Sequence, residues 1–110
     1  MDTISYEQFA ALDIRVGTIT AVAVVPEADK LLMLTVDIGE AAPRQIISGI
    51  RTFFADPQEL VGKQCPFLAN LAPRTIKGLE SQGMILAIGD DTQFSLLHPA
   101  VAVAVGSKVR

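Results

Sequence analysis

The chain has 110 residues, a net charge of −3 and a hydrophobic fraction of 50%, a composition typical of a packed domain and unlike that of a disordered chain. Its one cysteine excludes an intramolecular disulfide, and without a secretory signal we expect a protein of the reducing cytoplasm. No apolar run reaches the roughly 20 residues that cross a bilayer, so we expect no membrane partner. Residues 1–110 are predicted to form one domain.

The first half of the chain predicts one short helix and three strands. Ser5 and Gln8 form a capping-box pattern at the start of the helix, on which Phe9 and Leu12 share a face. Runs rich in Ile, Val, Leu and Thr predict the strands, over residues 13–25, 31–38 and 45–50. Gly17 lies inside the first strand and indicates a β-bulge or a sharp bend there.

A second short helix is predicted over residues 56–62. Asp56 is placed to cap its first turn, Pro57 suits its first position, Glu59 can complete a capping box, and Gly62 can end the helix.

Two further strands follow this second helix. Residues 64–71 predict a fourth strand, which Pro66 should confine to a sheet edge because proline lacks a ladder donor. Residues 70–82 then read as a long turn, and residues 83–89 predict a fifth strand. The run FSLLHP and a short terminal piece complete the chain.

The order of these elements predicts an all-β fold. Strands and helices do not alternate as in parallel α/β proteins, whereas closure into a small antiparallel barrel would remove exposed sheet edges. A long first strand and a helix between the third and fourth strands indicate the OB-fold, a five-stranded Greek-key barrel. We therefore expect that barrel with short helices and a C-terminal extension.

Nothing in the sequence points to an enzyme. The lone histidine, His98, has no partner at motif spacing, and Cys65 lies in an apolar strand where a buried, inert thiol is expected. Cys/His clusters and phosphate-binding glycine loops are both absent from the sequence. We expect no catalytic residue, no metal and no cofactor.

Binding of folded RNA is the more plausible chemistry. Residues 44–77 carry five bases against two acids, although the chain as a whole is acidic. Single-strand binders stack bases on exposed aromatics, but the core should take Phe9, Phe67 and Phe94, and at most one of Phe53 and Phe54 should face outward. A protein that recognises RNA by shape and backbone needs fewer aromatics.

Five ordered blocks carry a family resemblance: FAALDIRVGTI, PEADKLLMLTVDIG, QIISGIR, DPQELVGK and ANLAPRTIKGLESQGMILA. Together they closely resemble the tRNA-binding domain that stands alone in bacteria or forms the C-terminal part of methionyl-tRNA synthetase. The resemblance covers residues 6–110. It implies an OB-fold barrel with a C-terminal extension, a homodimer, and recognition of tRNA by shape near its outer corner.

The resemblance also assigns binding residues by position. The asparagine of the NL-P turn, the nearby bases and the SQGM block correspond to the principal candidates, and the ADKL and SGIR blocks supply secondary ones. The principal candidates are Asn70, Arg74, Lys77, Ser81, Gln82 and Met84, and the secondary ones are Lys30, Ser48 and Arg51. Asn70 and Ser81 flank the turn, so they are expected to approach each other across the barrel.

Two positions depart from the family pattern. Ala72 stands where many members have lysine, and Val25 stands where many have histidine before the proline. The missing cation at position 72 predicts weaker binding, and it leaves open a chaperone-like or synthetase-docking module of the same fold. The apolar C-terminal run LLHPAVAVAVGSKVR is expected to pack against a two-fold mate, because such an end would otherwise fray.

Overall fold

The computed structural model describes residues 1–110 and begins with the predicted capped helix, α1 (Tyr6–Ala10). The Ser5 hydroxyl accepts a hydrogen bond from the Gln8 backbone N–H at 3.1 Å, and the Gln8 side chain accepts one from the Ser5 N–H at 2.8 Å. This reciprocal pair confirms the capping box. No residue of α1 is buried, however, and Phe9 is 36% exposed, so its assignment to the core was wrong.

Nine antiparallel strands make up most of the remaining regular secondary structure. Five of them form one sheet in the order β3-β2-β1-β4-β7, and the other four form two hairpins, β5-β6 and β8-β9. The strands are β1 (Ile14–Val24), β2 (Leu32–Asp37), β3 (Arg44–Ser48), β4 (Gln64–Leu68), β5 (Arg74–Ile76), β6 (Leu79–Ser81), β7 (Met84–Ile85), β8 (Ala87–Gly89) and β9 (Phe94–Leu96).

The long first strand serves two partners, as predicted. Its first half, Ile14–Thr18, pairs with β4, and Thr18–Val24 pairs with β2. Strand β2 alternates buried and half-buried residues, and its inward side chains join Ile19 and Phe67 in a single core. The sheet curls into a nearly closed barrel, which confirms the all-β, OB-like fold.

Gly17 does not form the predicted bulge. It lies opposite Cys65 in regular register, and the register of β1 shifts instead between Ile19 and Ala21. A Cβ atom at position 17 would lie 2.7 Å from side-chain atoms of both Val36 and Ile38. Glycine is therefore needed at this position for close packing inside the barrel.

The edge assignment of β4 was also wrong, since this strand lies between β1 and β7. Pro66 is opposite Val16, whose own backbone N–H and C=O bond Ser107 and Gly106 of the C-terminal segment. The pairing with Val16 therefore requires no donor from Pro66. The Pro66 carbonyl accepts a hydrogen bond from the Leu86 N–H at 3.1 Å. An interior strand tolerates proline at such a position.

The second predicted helix is present as a 3-10 helix over Pro57–Leu60, preceded by another over Arg51–Phe53. The Asp56 carboxylate accepts from the Gln58 N–H at 3.0 Å, as predicted for a cap. The Glu59 side chain makes no hydrogen bond that would complete the box. Gly62, with φ +90°, follows the helix as expected.

The chain after Leu71 differs most from expectation. The predicted turn over residues 70–82 contains the hairpin β5-β6, and the predicted fifth strand divides into β7 and β8. Strand β7 continues the barrel beside β4, whereas β8 turns away to pair with β9. No helix in the structure has the length and hydrophobicity needed to span a bilayer.

The C-terminal segment is held by its own chain. The Gly106 N–H donates to the Val16 carbonyl and the Val109 N–H donates to the Ile14 carbonyl, both at 2.8 Å. The Gln64 side chain adds two hydrogen bonds to the backbone of Val103, at 2.7 and 3.0 Å. The segment is therefore tied to β1 and β4 without a second subunit.

Candidate nucleic-acid interface

The hairpin β5-β6 presents two of the predicted binding residues to solvent. Its two-residue turn is Lys77-Gly78, and φ is positive at both positions, 52° and 78°. This is the pattern of a type I′ turn, which matches the twist of the flanking strands. Lys77 therefore lies at the tip of the hairpin and Arg74 at its base; both are exposed and neither forms a salt bridge.

A shallow groove of about 430 Å³ separates this hairpin from the loop between β1 and β2. Lys30 lines it from the loop and Lys77 lines it from the hairpin, so the structure brings these two predicted cations to one site. Two acids, Glu27 and Asp29, line the same groove. The two cations and two acids leave its formal charge balanced.

Arg51 supports this groove from beneath the loop. Its backbone N–H donates to the Lys30 carbonyl at 3.1 Å, and its guanidinium lies 3.5 Å from the Ala28 carbonyl. Arg51 also lines a neighbouring cavity that includes Asp29. The secondary candidates Lys30 and Arg51 thus belong to the same surface as Lys77.

Ser81 and Gln82 have a clear structural role. Ser81 is 2% exposed, and its hydroxyl accepts from the Ile47 N–H at 3.0 Å and donates to the Gly83 carbonyl at 3.1 Å. Gln82 pairs with Gln45 twice: its side chain accepts from the Gln45 N–H at 2.9 Å, and its N–H donates to the Gln45 carbonyl at 2.8 Å. We call this join between β3 and residues 79–83 the barrel seam.

Asn70 bonds a different part of the molecule. Its side-chain oxygen accepts from the Asp13 N–H at 2.8 Å, and its amide donates to the Ala11 carbonyl at 2.7 Å. These bonds fix the passage from α1 into β1. Asn70 and Ser81 form no hydrogen bond with each other, although both lie at the ends of the same segment.

The last two predicted residues lie at strand positions. Met84 opens β7 opposite Leu68 and is 40% exposed, and Ser48 ends β3 opposite Leu32 and is half-buried. Neither side chain makes a hydrogen bond.

Arg44 was not among the predicted site residues. It bonds both ends of the segment between Ala69 and Gln82, which carries the hairpin β5-β6. Its guanidinium donates through Nη1 to the Ala69 carbonyl and, at 3.0 Å, to the Gln82 carbonyl. The Arg44 Nε and Nη2 atoms donate to the two carboxylate oxygens of Glu40, at 2.8 and 2.9 Å. This hydrogen bonding lowers the pKa of the Glu40 carboxyl. Only its place among the five bases of residues 44–77 could have drawn attention to it.

The aromatic residues form a cluster of their own. Phe53 and Phe94 stack with ring centroids 3.9 Å apart, and Phe54 meets Phe94 edge-on at 5.9 Å. All three are half-buried against the core.

Cys65 is buried as expected, and burial raises the pKa of its thiol to about 11. His98 is exposed, with Nδ1 2.7 Å from the Gln64 carbonyl.

Comparisons with known proteins agree with this architecture. A family model described as "Putative tRNA binding domain" matches residues 14–108. The chain is 50% identical over 110 residues to a methionine--tRNA ligase of Porphyromonas gingivalis, which aligns with 99% of this chain and 16% of that enzyme. The chain thus spans about one sixth of the length of this curated relative.

Solved structures show the same similarity in three dimensions. A crystal structure of a MetRS-related protein from Pyrococcus horikoshii matches with a TM-score of 0.91 and 31% identity over 100% of both chains. The chaperone CsaA from Bacillus anthracis matches with a TM-score of 0.86 and 27% identity, over 99% of this chain and 100% of that one. Since the family model spans nearly the whole barrel and its C-terminal segment, the chain belongs to the tRNA-binding domain family.

Proposed function

We propose that this protein is a non-catalytic tRNA-binding module that recognises the shape of tRNA near its outer corner. The observation that carries the proposal is the match of the tRNA-binding family model to residues 14–108, on a structure whose predicted cations Lys30 and Lys77 meet at one groove. The corner itself is what the family resemblance implies.

The cations of this surface would supply affinity. Lys30, Arg51, Arg74 and Lys77 form no salt bridge, since the two salt bridges of the chain use Arg15 and Arg44. Unpaired cations that neutralise phosphates release condensed counterions, which favours binding and makes it salt-dependent. Glu27 and Asp29 line the same groove and are exposed, so they would reduce its attraction for phosphates.

Recognition by shape agrees with the state of the aromatic residues. The rings of Phe53, Phe54 and Phe94 pack on one another and on the core, so they do not offer free platforms for a series of unpaired bases. Contacts to phosphates and 2′-hydroxyls of a folded RNA require no such platforms.

The remaining predicted residues would act in two ways. Met84 is exposed and can contact RNA directly, whereas Asn70, Ser81 and Gln82 hold the backbone that presents the hairpin. Ser48 lies at the end of β3, beside the seam. Polar groups that fix geometry would set register, while the cations set affinity.

A gel-shift panel tests this proposal with three RNAs of equal length: folded tRNA, unstructured single-stranded RNA and duplex RNA. We expect tRNA to bind more tightly than either competitor. Equal affinity for all three would reject shape recognition, and no shift with tRNA at low salt would reject RNA binding altogether.

A homodimer is the second part of the proposal. The chain exposes large apolar side chains beside β1, both on the N-terminal segment and on the C-terminal one: Ile4, Tyr6, Phe9, Leu12, Val101 and Val109. Because the Val109 N–H bonds the carbonyl of Ile14, just after Leu12, the end of the C-terminal segment lies beside the N-terminal segment where β1 begins. A two-fold mate would bury them as a self-complementary patch.

An aminoacyl-tRNA synthetase is the partner that the relatives suggest. The curated relative of P. gingivalis is a methionine--tRNA ligase of which this chain matches only a part, so we propose that the module delivers tRNA to such an enzyme. A protein that works on tRNA in this way would act in the cytoplasm.

The similarity to the chaperone CsaA supports one alternative, a protein-interaction module of the same fold. A chaperone-like module should suppress aggregation of a chemically denatured protein, and added tRNA should not relieve that suppression. Failure to suppress aggregation at equimolar concentration would reject this alternative.

A further inference from the structure

We propose that Arg44 is the positioning residue of the tRNA-binding segment, holding the hairpin β5-β6 at the angle at which its cations meet RNA. This inference rests on the proposed function and adds to it a residue that makes no contact with tRNA. It comes from the hydrogen bonds that occupy four of the five N–H groups of the guanidinium.

The two carbonyls that Arg44 bonds mark the two ends of one excursion of the chain. Ala69 is the last residue before the segment leaves the barrel, and Gln82 is the first after it returns. Within this excursion Asn70 bonds the backbone of Asp13 and Ala11, and Ser81 bonds Ile47, so Arg44 anchors the hairpin together with these contacts. One nitrogen, Nη1, serves both carbonyls and so joins the exit and the return of the segment.

Four of the five N–H groups of the guanidinium are engaged within the chain, and one N–H of Nη2 has no hydrogen-bond partner. Nε and Nη2 donate to the two oxygens of Glu40, and Nη1 is occupied by the carbonyls. Arginine is the one side chain whose planar fork can hold a carboxylate on one edge and backbone carbonyls on the other. Arg44 therefore acts on binding mainly through the hairpin, and the salt slope distinguishes this role from a phosphate contact by the remaining N–H.

Removal of the Glu40 side chain distinguishes positioning from simple electrostatics by the direction in which the affinity for tRNA changes. Removing an acidic side chain should strengthen binding to a polyanion if electrostatics alone decide the outcome. If Glu40 instead fixes the Arg44 guanidinium, its removal should loosen the base of the segment and weaken binding. The two effects have opposite directions, so one measurement distinguishes them.

The chain offers a matched control pair in Asp13 and Arg15. Their side chains form the other salt bridge, at 3.0 Å, and neither side chain bonds the segment between Ala69 and Gln82. Asp13→Ala and Arg15→Gln thus reproduce the charge changes of Glu40→Ala and Arg44→Gln while keeping the backbone bonds of Asp13 to Ala69 and Asn70.

The experiment titrates tRNA against wild type and these four variants over a range of salt concentrations. We expect Arg44→Gln to weaken binding about tenfold, the scale of one lost charge-assisted hydrogen bond, with the salt slope unchanged. Glu40→Ala should weaken binding about threefold despite the charge it removes, a smaller loss because both carbonyl bonds remain. Asp13→Ala should bind as tightly as wild type or more tightly.

Three outcomes would overturn the proposal. An affinity of Arg44→Gln for tRNA within twofold of wild type would show that the hydrogen bonds of Arg44 have no effect on RNA binding. A salt slope lowered by about one would make Arg44 a direct phosphate contact. Tighter binding by Glu40→Ala would show charge alone at work, and this variant keeps the proposal testable if Arg44→Gln does not fold.

Hydrogen exchange separates positioning from general stability. In Arg44→Gln the amides of Arg74–Ser81 should exchange faster while those of β1 and β2 remain protected, whereas uniformly faster exchange would indicate mere destabilisation and overturn the proposal. If wild type itself fails to bind tRNA, the proposed function falls and this inference falls with it. If wild type binds tRNA and Arg44→Gln binds it equally well, only the positioning role of Arg44 is rejected and the proposed function stands.

Discussion

The Ser81 hydroxyl accepts a hydrogen bond from the Ile47 backbone N–H at 3.0 Å across the barrel seam. Along this seam the backbones of β3 and residues 79–83 share few direct hydrogen bonds, and side chains of Ser81, Gln82 and Gln45 supply the others. Polar residues that sequence patterns associate with RNA contact therefore close the barrel in this structure.

Ser81→Ala should destabilise the protein by about 1–3 kcal/mol, because the buried Ile47 N–H would lose its acceptor and find no water. Urea unfolding followed by circular dichroism measures this change. The exposed Thr75→Ala variant of the same hairpin is the control and should stay within about 0.5 kcal/mol of wild type. Equal stability of the two variants would contradict the structural role of Ser81.

Gly17→Ala should destabilise the barrel by about 1–3 kcal/mol, because the added methyl group would overlap fully buried side chains of Val36 and Ile38. Gly49→Ala is a matched control, since the nearest atom to its Cβ would be the Lys30 carbonyl oxygen at 3.9 Å. Thermal unfolding of both variants gives the comparison. A loss for Gly49→Ala as large as that for Gly17→Ala would show that packing at Gly17 is not special.

Alkaline pH should weaken the fold through Cys65. The thiol has a pKa of about 11 in the folded chain against an ordinary value of 9.0, so above pH 9 the unfolded state loses its proton first. The free energy of unfolding should accordingly fall between pH 9 and pH 11. Comparison with Cys65→Ala isolates this contribution, because all other ionisable groups are the same in both proteins; parallel pH profiles would contradict it.

The same burial makes Cys65 a slow target for thiol reagents. At pH 8 a disulfide reagent should label the folded protein far more slowly than the protein in urea. In the folded protein little of the Cys65 thiol is ionised, and its burial keeps the reagent away from the sulfur atom. Labelling at equal rates in the two conditions would show that Cys65 is exposed in solution.

Tyr6→Glu should convert the proposed dimer into a monomer, because a charge would enter the apolar patch beside β1. Tyr6 is 77% exposed in the single chain, so the substitution should leave the barrel intact. Ile88→Glu, on the separate hairpin β8-β9, is the control and should remain dimeric. Sedimentation at micromolar concentration measures both, and a monomeric wild type would reject the dimer.

Much of the fold could be predicted because its signals are local. The capping box of Ser5 and Gln8 and the long apolar run of β1 each specify an element without help from distant residues. Gly17 and Pro66 were misread because their roles depend on what lies across the barrel: buried side chains for Gly17, and the C-terminal segment beside Val16 for Pro66.

The site was predictable to a lesser degree for the same reason. Lys30 and Lys77 lie far apart in sequence and share a groove only because a type I′ turn at Lys77-Gly78 lifts the hairpin beside the first loop. Arg44 gave no signal beyond its place among the five bases of residues 44–77, since its bonds to backbone carbonyls leave no trace in residue types.

The most direct measurement is a titration of bulk tRNA against wild type, Lys30→Ala/Lys77→Ala and Lys108→Ala across salt concentrations. The proposed interface predicts salt-dependent binding by wild type, a salt slope lower by about two for the double variant, and no change for Lys108→Ala, which lies outside the groove. A double variant that keeps the wild-type slope and affinity would contradict the interface. A wild type that shows no binding at low salt would contradict the function.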